Sequence, residues 1–296
     1  MPAPGLRPPS PVEGAQMGVN RDAAGATTSM QTREWSTTDS VIYALGVGCG
    51  ADELAFATDD TRGVEPRALP TMAVVLALPG PEITAAMGDY DRRKLVHGTQ
   101  TTIVHSPIPA AGAIGYSSTI LGVYDKGSGA AVETETRATD SVTGKPMFTN
   151  RSVAFIRGDG GWGGDRGPSQ PAHQPPERKP DHLVAQQVAD NQALLYRLSG
   201  DRNPLHSDPA FAQAAGFERP ILHGLCTYGM VGRALLGHVC GGDVDAFGEL
   251  SARFVAPVYP GDDLAIAIWL TGPGTAVFEG RRAESQLVIT GTFATA

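Results

Sequence analysis

Cysteine is scarce in this chain of 296 residues, and no long apolar run is present. The three cysteines, Cys49, Cys226 and Cys240, are too few and too widely spaced for a disulfide framework or a metal cluster. No stretch approaches the roughly 20 apolar residues of a membrane span, and residues 1–32 contain no apolar segment typical of a secretion signal. We therefore expect a cytoplasmic protein with no membrane span and no bound metal.

Basic charge is also scarce, since only four of the residues are lysine and the formal net charge is −8. No run of lysine or arginine forms a basic stripe, so the sequence argues against a nucleic-acid partner. An anionic ligand would need cations placed locally. The hydrophobic fraction of 41% supports a packed core. Residues 1–32, rich in proline, glycine, alanine and serine, are predicted to be a disordered tail.

Two parts of the chain resemble each other. Ile42–Gly48 aligns with Leu195–Asp201, and Tyr43 and Tyr196 in these segments are 153 residues apart. Two further matches follow in order: Arg67–Pro70 with Pro220–His223 at the same spacing, and Ile103–Pro107 with the segment ending at Pro257 at a spacing of 150. The sequence therefore predicts an internal duplication. The units are residues 33–157 and 182–296, joined by a glycine- and proline-rich linker at 158–181.

Each unit has the pattern of a helix followed by an antiparallel meander, which predicts an α+β fold of two tandem hot dogs, each a sheet wrapped around a central helix. In the second unit the helix runs from about Gly224 to Val239. In the first unit the helix begins near Thr71 and should break at Pro79-Gly80-Pro81, since proline inside a helix costs about 3 kcal/mol. The predicted strands are Thr99–His105, Ile114–Tyr124, Ala131–Arg137, Phe148–Ile156, Glu249–Val255, Leu264–Leu270, Ala276–Arg281 and Gln286–Phe293.

The run from Tyr196 to His206 holds the residues best suited to chemistry. Asp201, Asn203 and His206 could hold and activate a water molecule, but Asp and Asn also commonly cap local backbone, and His206 could be structural. At a spacing of 153, Asp201 and His206 correspond to Gly48 and Glu53, so the first unit lacks the pair. This one-sided loss favours one active unit and one degenerate unit.

The same run, with Ala212 after it, resembles the signature of the (R)-specific enoyl-CoA hydratases, the hydratase 2 or MaoC-like family, in its double-hot-dog form. The resemblance covers about residues 33–296. It implies a hydro-lyase that reversibly adds water, in the syn sense, to trans-2-enoyl-CoA, giving (3R)-3-hydroxyacyl-CoA in fatty acid or steroid side-chain β-oxidation. It also implies no cofactor and a homodimer. Three alternatives remain open: a dehydratase of acyl-carrier-protein or polyketide intermediates, a thioesterase, and a non-catalytic acyl-CoA-binding module.

The resemblance also implies roles for single residues. Asp201 and His206 would be the catalytic pair, with the choice of base and acid left open, and Asn203 would steady the water. Independently of the resemblance, the broken helix should leave space inside the first unit, and we expect this space to hold a large acyl group. His223, His105 and His238 are interpreted as structural. The residues expected to contact the substrate are Gly224, whose N–H would bind the thioester oxygen, His97, Gly98 and Phe254, and Lys126, which would reach the CoA phosphates.

Overall fold

The computed structural model of the chain describes residues 18–168, 174–282 and 285–296. Strands dominate this part of the chain. They are β1 (Gly18–Val19), β2 (Gln31–Trp35), β3 (Gly88–Asp89), β4 (Leu95–Val104), β5 (Gly112–Asp125), β6 (Gly129–Asp140), β7 (Pro146–Arg157), β8 (His182–Gln187), β9 (Phe247–Phe254), β10 (Asp263–Gly272), β11 (Thr275–Arg282) and β12 (Gln286–Thr295).

Most helices are short. They are α1 (Thr37–Gly46), α2 (Leu54–Ala57), α3 (Ala73–Leu76), α4 (Pro81–Ala86), α5 (Gln192–Tyr196), α6 (Pro209–Ala214) and α7 (Gly224–His238). Among the described residues, no helix combines the length and the apolar character that crossing a membrane requires.

Ten of the strands form one antiparallel sheet, in the order β2, β5, β6, β7, β4, β9, β12, β11, β10, β8. Each half of the chain supplies five neighbouring strands. If the five strands of each half are numbered in chain order, both halves show the same order from the centre of the sheet to its edge: second, fifth, fourth, third, first. This mirrored order is the one expected of a duplicated unit, and it confirms the prediction of an α+β fold with two tandem hot dogs.

Equivalent residues of the two halves meet at the centre of the molecule. Thr101 in β4 pairs with Ser251 in β9, 150 residues later, and their hydroxyl groups are 2.8 Å apart. The rings of Tyr43 and Tyr196 also pack together, with centroids 6.0 Å apart. A residue can pair with its own equivalent only on a local twofold axis, so an approximate axis passes between both pairs.

The central helices differ as the sequence predicts. Helix α7 is 15 residues long, about 22 Å, and packs against the sheet of the second half. In the first half, the segment that corresponds to this central helix begins at Pro70, ends at Leu76 and becomes helical again only at Pro81. A side chain at Gly232 of α7 would overlap Thr71, so glycine is needed where the two central helices touch.

Two elements at the sheet edges differ from the sequence-based expectation. Strand β8, which pairs with β10, and strand β2, which pairs with β5, were not predicted. Residues 18–32 were expected to be part of a disordered tail, yet Ala23 is buried and Thr27 bridges to Thr119 of β5. Small residues leave little hydrophobic signal, but their extended backbone can still pair with a sheet edge. Residues 1–17 lie outside the described residues, and the proposed domain boundaries stay a prediction.

The start of the linker is fastened to the first half through Asp125. Its carboxylate accepts hydrogen bonds from the backbone N–H groups of Gly161, Gly127 and Gly163, at 2.7–2.8 Å. Because these bonds favour the ionised form, they lower the pKa of Asp125 to about 2. The start of the linker, around Gly161 and Gly163, is therefore held against the first half.

Candidate active site

The run from Tyr196 to His206 folds into two short helical turns with an irregular loop between them. Tyr196 ends α5 and is fully buried, which anchors the run in the core. The chain then turns at Gly200, whose φ of 130° suits glycine and strains other residues. Asn203 caps a 3₁₀ turn over Pro204–His206. Asp201, Asn203 and His206 are therefore displayed on one compact loop.

Asp201 and Asn203 both bind local backbone, as the capping alternative proposed. One carboxylate oxygen of Asp201 accepts from the Asn203 N–H at 3.1 Å, and the side-chain oxygen of Asn203 accepts from the Leu205 N–H at 3.0 Å. These bonds fix the orientation of both side chains. They leave the second carboxylate oxygen of Asp201 and the amide N–H donors of Asn203 for a bound molecule.

His206 is held as a neutral base. Its Nδ1 lies 2.9 Å from the carbonyl oxygen of Ile221, and because a carbonyl can only accept, Nδ1 must carry the proton. Burial lowers the pKa of His206 below its ordinary value of 6.5, so the ring is neutral near pH 7. The second ring nitrogen, Nε2, is then left with a free lone pair.

His223 is a neighbour of this pair that sequence reasoning treated as structural only. Its ring stacks on that of His206 with centroids 3.7 Å apart, and its Nε2 donates to the backbone oxygen of Asp201 at 3.1 Å. Burial, reinforced by repulsion from His206, lowers its pKa to about 3. Its Nδ1 is buried and has no hydrogen-bond partner among the described residues. The sequence signal that could have indicated a role for His223 at the site is its position, directly before Gly224 in the repeated segment.

Polar atoms of Asp201, His206 and His223 lie close together. A carboxylate oxygen of Asp201 and one ring nitrogen from each of His206 and His223 all lie within 4.8 Å of one another. That spacing suits a water bridging two groups through hydrogen bonds of about 2.8 Å. Two histidines and a carboxylate are also a metal-type donor set. The two rings are stacked, however, with centroids 3.7 Å apart and planes tilted by only 27°, so their lone pairs lie in separate, nearly parallel planes and converge poorly on one ion.

A cavity of about 380 Å³ opens over this cluster. Asp201, Asn203 and His206 line it, together with Gly224 and Phe254. The first half contributes the opposite wall through the start of β4 and the end of β7. Residues from that half are Leu95, Val96, His97 and Arg157. The site is therefore built at the junction of the two halves.

Three of the expected substrate contacts pack against one another in this cavity. A Cβ atom at Gly224 would lie 3.3 Å from the ring of Phe254, and the ring of His97 meets Phe254 edge-on with centroids 5.1 Å apart. Gly224 is the first residue of α7, where backbone N–H groups have no partner within the helix. Gly98 does not line the cavity. It lies at a β-bulge in the β4–β7 pairing, between His97 and Thr99. A β-bulge changes the direction of neighbouring side chains, here that of His97.

Lys126 does not line the cavity either. The ammonium group donates to the backbone oxygen of Arg166 and lies 5.6 Å from the centre of the Tyr124 ring. The hairpin that carries Lys126 does lie near the cavity, because Gly129 pairs with Arg157. In this structure the lysine is directed towards the linker, and its expected role at the CoA phosphates stays a prediction.

The equivalent place in the first half is filled. Gly48 and Glu53 stand where the second half has Asp201 and His206. Arg233 of α7 extends over them, forms an ion pair with Glu53 at 3.2 Å, and donates to the Gly48 carbonyl. The first half thus has neither the polar pair nor the space between its members.

Comparison with known proteins agrees with this architecture. The family model of the MFE-2 hydratase 2 N-terminal domain matches residues 34–158, and that of the MaoC like domain matches residues 171–292. The chain is 42% identical over 273 residues to 3-hydroxyacyl-thioester dehydratase Y of Mycobacterium tuberculosis, covering 91% of this chain and 94% of that protein. It is 41% identical over 266 residues to enoyl-CoA hydratase ChsH3 of the same organism, covering 86% and 91%.

Among solved structures, a MaoC-like dehydratase from Phytophthora capsici superimposes with a TM-score of 0.83 at 31% identity. The match covers 94% of this chain and 98% of that one.

Proposed function

Because the chain belongs to the MaoC-like, hydratase 2 family, we propose that it reversibly adds water to trans-2-enoyl-CoA, giving (3R)-3-hydroxyacyl-CoA as in β-oxidation. The observation that carries this proposal is the convergence of Asp201, His206 and the Gly224 end of α7 on one cavity. The reaction needs a base, an oriented water and a site for developing negative charge, and these groups can supply all three. We propose that no cofactor takes part.

The geometry supports His206 as the group that moves the proton. Neutral His206 can accept a proton from water at Nε2, since Nδ1 is committed to Ile221. The second carboxylate oxygen of Asp201 can accept the other hydrogen of that water, and an Asn203 N–H can donate to its oxygen. Asp201 also stabilises the imidazolium that forms, because opposite charges attract over this short distance.

Gly224 can stabilise the charge that develops on the substrate. As the water oxygen bonds to C3, the electron pair of the C2–C3 double bond moves towards the thioester carbonyl and produces an enolate. The N–H groups at the start of α7 have no partner within the helix and create a positive potential at this end, which favours an oxyanion there. The absence of a side chain at Gly224 lets the carbonyl approach, since Phe254 already lies close on this side.

One imidazole then accounts for the stereochemistry. His206 has taken one proton from the water and can return it to C2, where the enolate electron pair forms the new C–H bond. The water oxygen and the proton both come from the face occupied by the Asp201–His206 loop, so addition is syn. One water is consumed, and His206 returns to its neutral form.

The test uses purified full-length protein with crotonyl-CoA and with a longer trans-2-enoyl-CoA. Hydration removes the ultraviolet absorbance of the conjugated thioester without releasing a thiol. Thiol release without hydration would support a thioesterase. Tight binding with no turnover would support a non-catalytic module. Either result would overturn the proposal.

We further propose that the acyl group extends towards the broken helix of the first half. Leu78, in the break, lies 3.7 Å from the position of a Cβ on Gly200, next to Asp201. The cavity over the catalytic loop is not lined by residues of the break, so a long chain must displace Leu78 to enter. A chain-length profile of kcat/KM tests this, and activity confined to four-carbon substrates would refute it.

Two finer features are also proposals. A homodimer is supported by the exposed apolar side chains of Leu194 and Leu198, one helical turn apart and 54% and 50% exposed. Light scattering of the purified protein would test it. A cytoplasmic location is supported by three free cysteines, which suit a reducing compartment, although some relatives are named as peroxisomal. Cell fractionation would test it.

A further inference from the structure

A second cavity, of about 470 Å³, adjoins the first. The two share Arg157, which lines both. Lys94 and Arg93, from the short 3₁₀ turn before β4, also line the second cavity, as do Asp91, Gly158, and Ala214 and Ala215 at the end of α6. Three cations and one carboxylate, that of Asp91, therefore line a space that adjoins the catalytic cavity, in a chain whose net charge is −8.

The sheet register places two of these cations side by side. Leu95 in β4 pairs with Ile156 in β7, and the strands are antiparallel, so Lys94 lies beside Arg157. The Lys94 ammonium lies 3.6 Å from where a Cβ on Gly158 would stand, which places it against the residue after Arg157. Adjacent like charges on neighbouring strands are unfavourable unless an anion lies between them.

Within the described part of the chain, no carboxylate lies within 4.0 Å of Lys94 or Arg157. Arg157 instead lies 5.6 Å from the centre of the Phe217 ring. Arg93 does have a partner, Asp91, whose carboxylate it binds at 2.8–2.9 Å. The pair beside the shared wall, Lys94 and Arg157, is thus the part of the cluster whose charge is left for a ligand.

We propose that Lys94 and Arg157, with Arg93 behind them, bind the phosphate groups of CoA. This inference rests on the proposed function and adds to it the part of the substrate that the second cavity recognises. Arginine and lysine at the edge of a cavity are suited to phosphate oxygens, through a planar donor fork and a point charge respectively. The site thereby selects thioesters of free CoA over thioesters that lack its phosphates.

The distances along β4 agree with the shape of such a substrate. Lys94 directly precedes β4 and is three residues before His97, which lines the catalytic cavity, so it lies about 10 Å from His97. The lysine side chain extends this separation outward. The pantetheine arm of CoA, two amide units with methylene links, is an extended chain that can join a thioester at Gly224 to phosphates at the second cavity.

The experiment compares crotonyl-CoA with crotonyl-pantetheine, which carries the same reactive end and no phosphate. The readout is the ratio of kcat/KM for the two substrates. Lys94→Met and Arg157→Met should each lower this ratio about twofold to fivefold, mainly by raising KM for the CoA ester, because exposed charge pairs contribute about this much to binding. The ratio should also fall in wild-type protein as salt is raised.

Two matched variants act as controls. Lys145→Met removes a lysine from the turn before β7, at the end of that strand opposite Arg157, and should leave the ratio unchanged. Lys126→Met tests the assignment that the family resemblance implied. A fall in the ratio with Lys126→Met, and no fall with Lys94→Met or Arg157→Met, would overturn the proposal. So would a higher kcat/KM for a crotonyl group on a carrier protein than for crotonyl-CoA.

Failure of the catalytic proposal would give a different pattern. If the wild-type protein hydrates neither crotonyl ester, the proposed function falls, and the phosphate site is then tested by binding alone. Calorimetry with CoA should show tighter binding to wild type than to Lys94→Met or Arg157→Met. Equal affinity in all three proteins would overturn the phosphate site whether or not the protein is a hydratase.

Discussion

Replacing His206 by asparagine separates its chemical role from its structural one. An asparagine side chain is shorter, but its amide nitrogen lies near the position of Nδ1 and can still donate to the Ile221 carbonyl, which Nδ1 reaches at 2.9 Å in the native site. The variant lacks any group at the position of Nε2. His206→Asn therefore keeps the buried hydrogen bond and removes the base.

The expected loss follows from the role assigned to the ring. A positioned general base contributes about 10²–10⁴-fold to a rate, or roughly 2.7–5.4 kcal/mol of the activation free energy. His206→Asn should lower kcat by this factor. His206→Ala should lose a similar factor and, in addition, about 1–3 kcal/mol of unfolding free energy, because the Ile221 carbonyl is left without a donor.

The assay measures kcat with crotonyl-CoA and the free energy of unfolding in urea for both variants. His105→Asn is the matched control: its Nε2 binds Thr149 at 2.9 Å, and it does not line the catalytic cavity. It should keep full activity. A folded His206→Asn protein with kcat within tenfold of wild type would refute the assignment of His206 as the base.

Three further predictions follow from the same geometry. Gly224→Ala should lower kcat/KM by about tenfold to a hundredfold with little loss of stability. The new methyl group would lie 3.3 Å from the Phe254 ring and would crowd the thioester. Unchanged kcat/KM would contradict the oxyanion role of Gly224. The unfolding free energy should fall as pH drops below about 6.5, since unfolded His223 takes up a proton that the folded form, with a pKa of about 3, does not bind. Urea unfolding near neutral pH and about one unit below 6.5 measures this fall, and His223→Phe should make it smaller; an equal fall in both proteins would refute it. Chelation with EDTA should leave turnover unchanged, because the nearly parallel rings of His206 and His223 suit water better than an ion; a loss that zinc restores would contradict this.

The fold was largely predictable because its signals are local. Alternating strands, a helix without proline over Gly224–His238, and the Pro79-Gly80-Pro81 break each lie within a short window of sequence. The mirrored strand order followed from the duplication. Strands β2 and β8 were missed, since an edge strand has one neighbour and little apolar pattern to reveal it.

The candidate site was predictable only where its parts are contiguous. Asp201, Asn203 and His206 share one loop, so their convergence was visible in the sequence. Lys94 and Arg157 are 63 residues apart and become neighbours only through the β4–β7 register, which no local pattern contains. The stacking of His223 on His206 likewise depends on how α7 meets the catalytic loop.

The most direct test of the central claim is the configuration at C3 of the product formed from crotonyl-CoA. In the proposed mechanism the water lies on one face of the substrate, between Asp201 and His206 of the second half. Coupling the reaction to dehydrogenases specific for (3R)- or (3S)-3-hydroxyacyl-CoA identifies the product. We expect (3R)-3-hydroxybutyryl-CoA from wild type and none above background from Asp201→Asn. A (3S) or racemic product, or undiminished turnover by that variant, would contradict it.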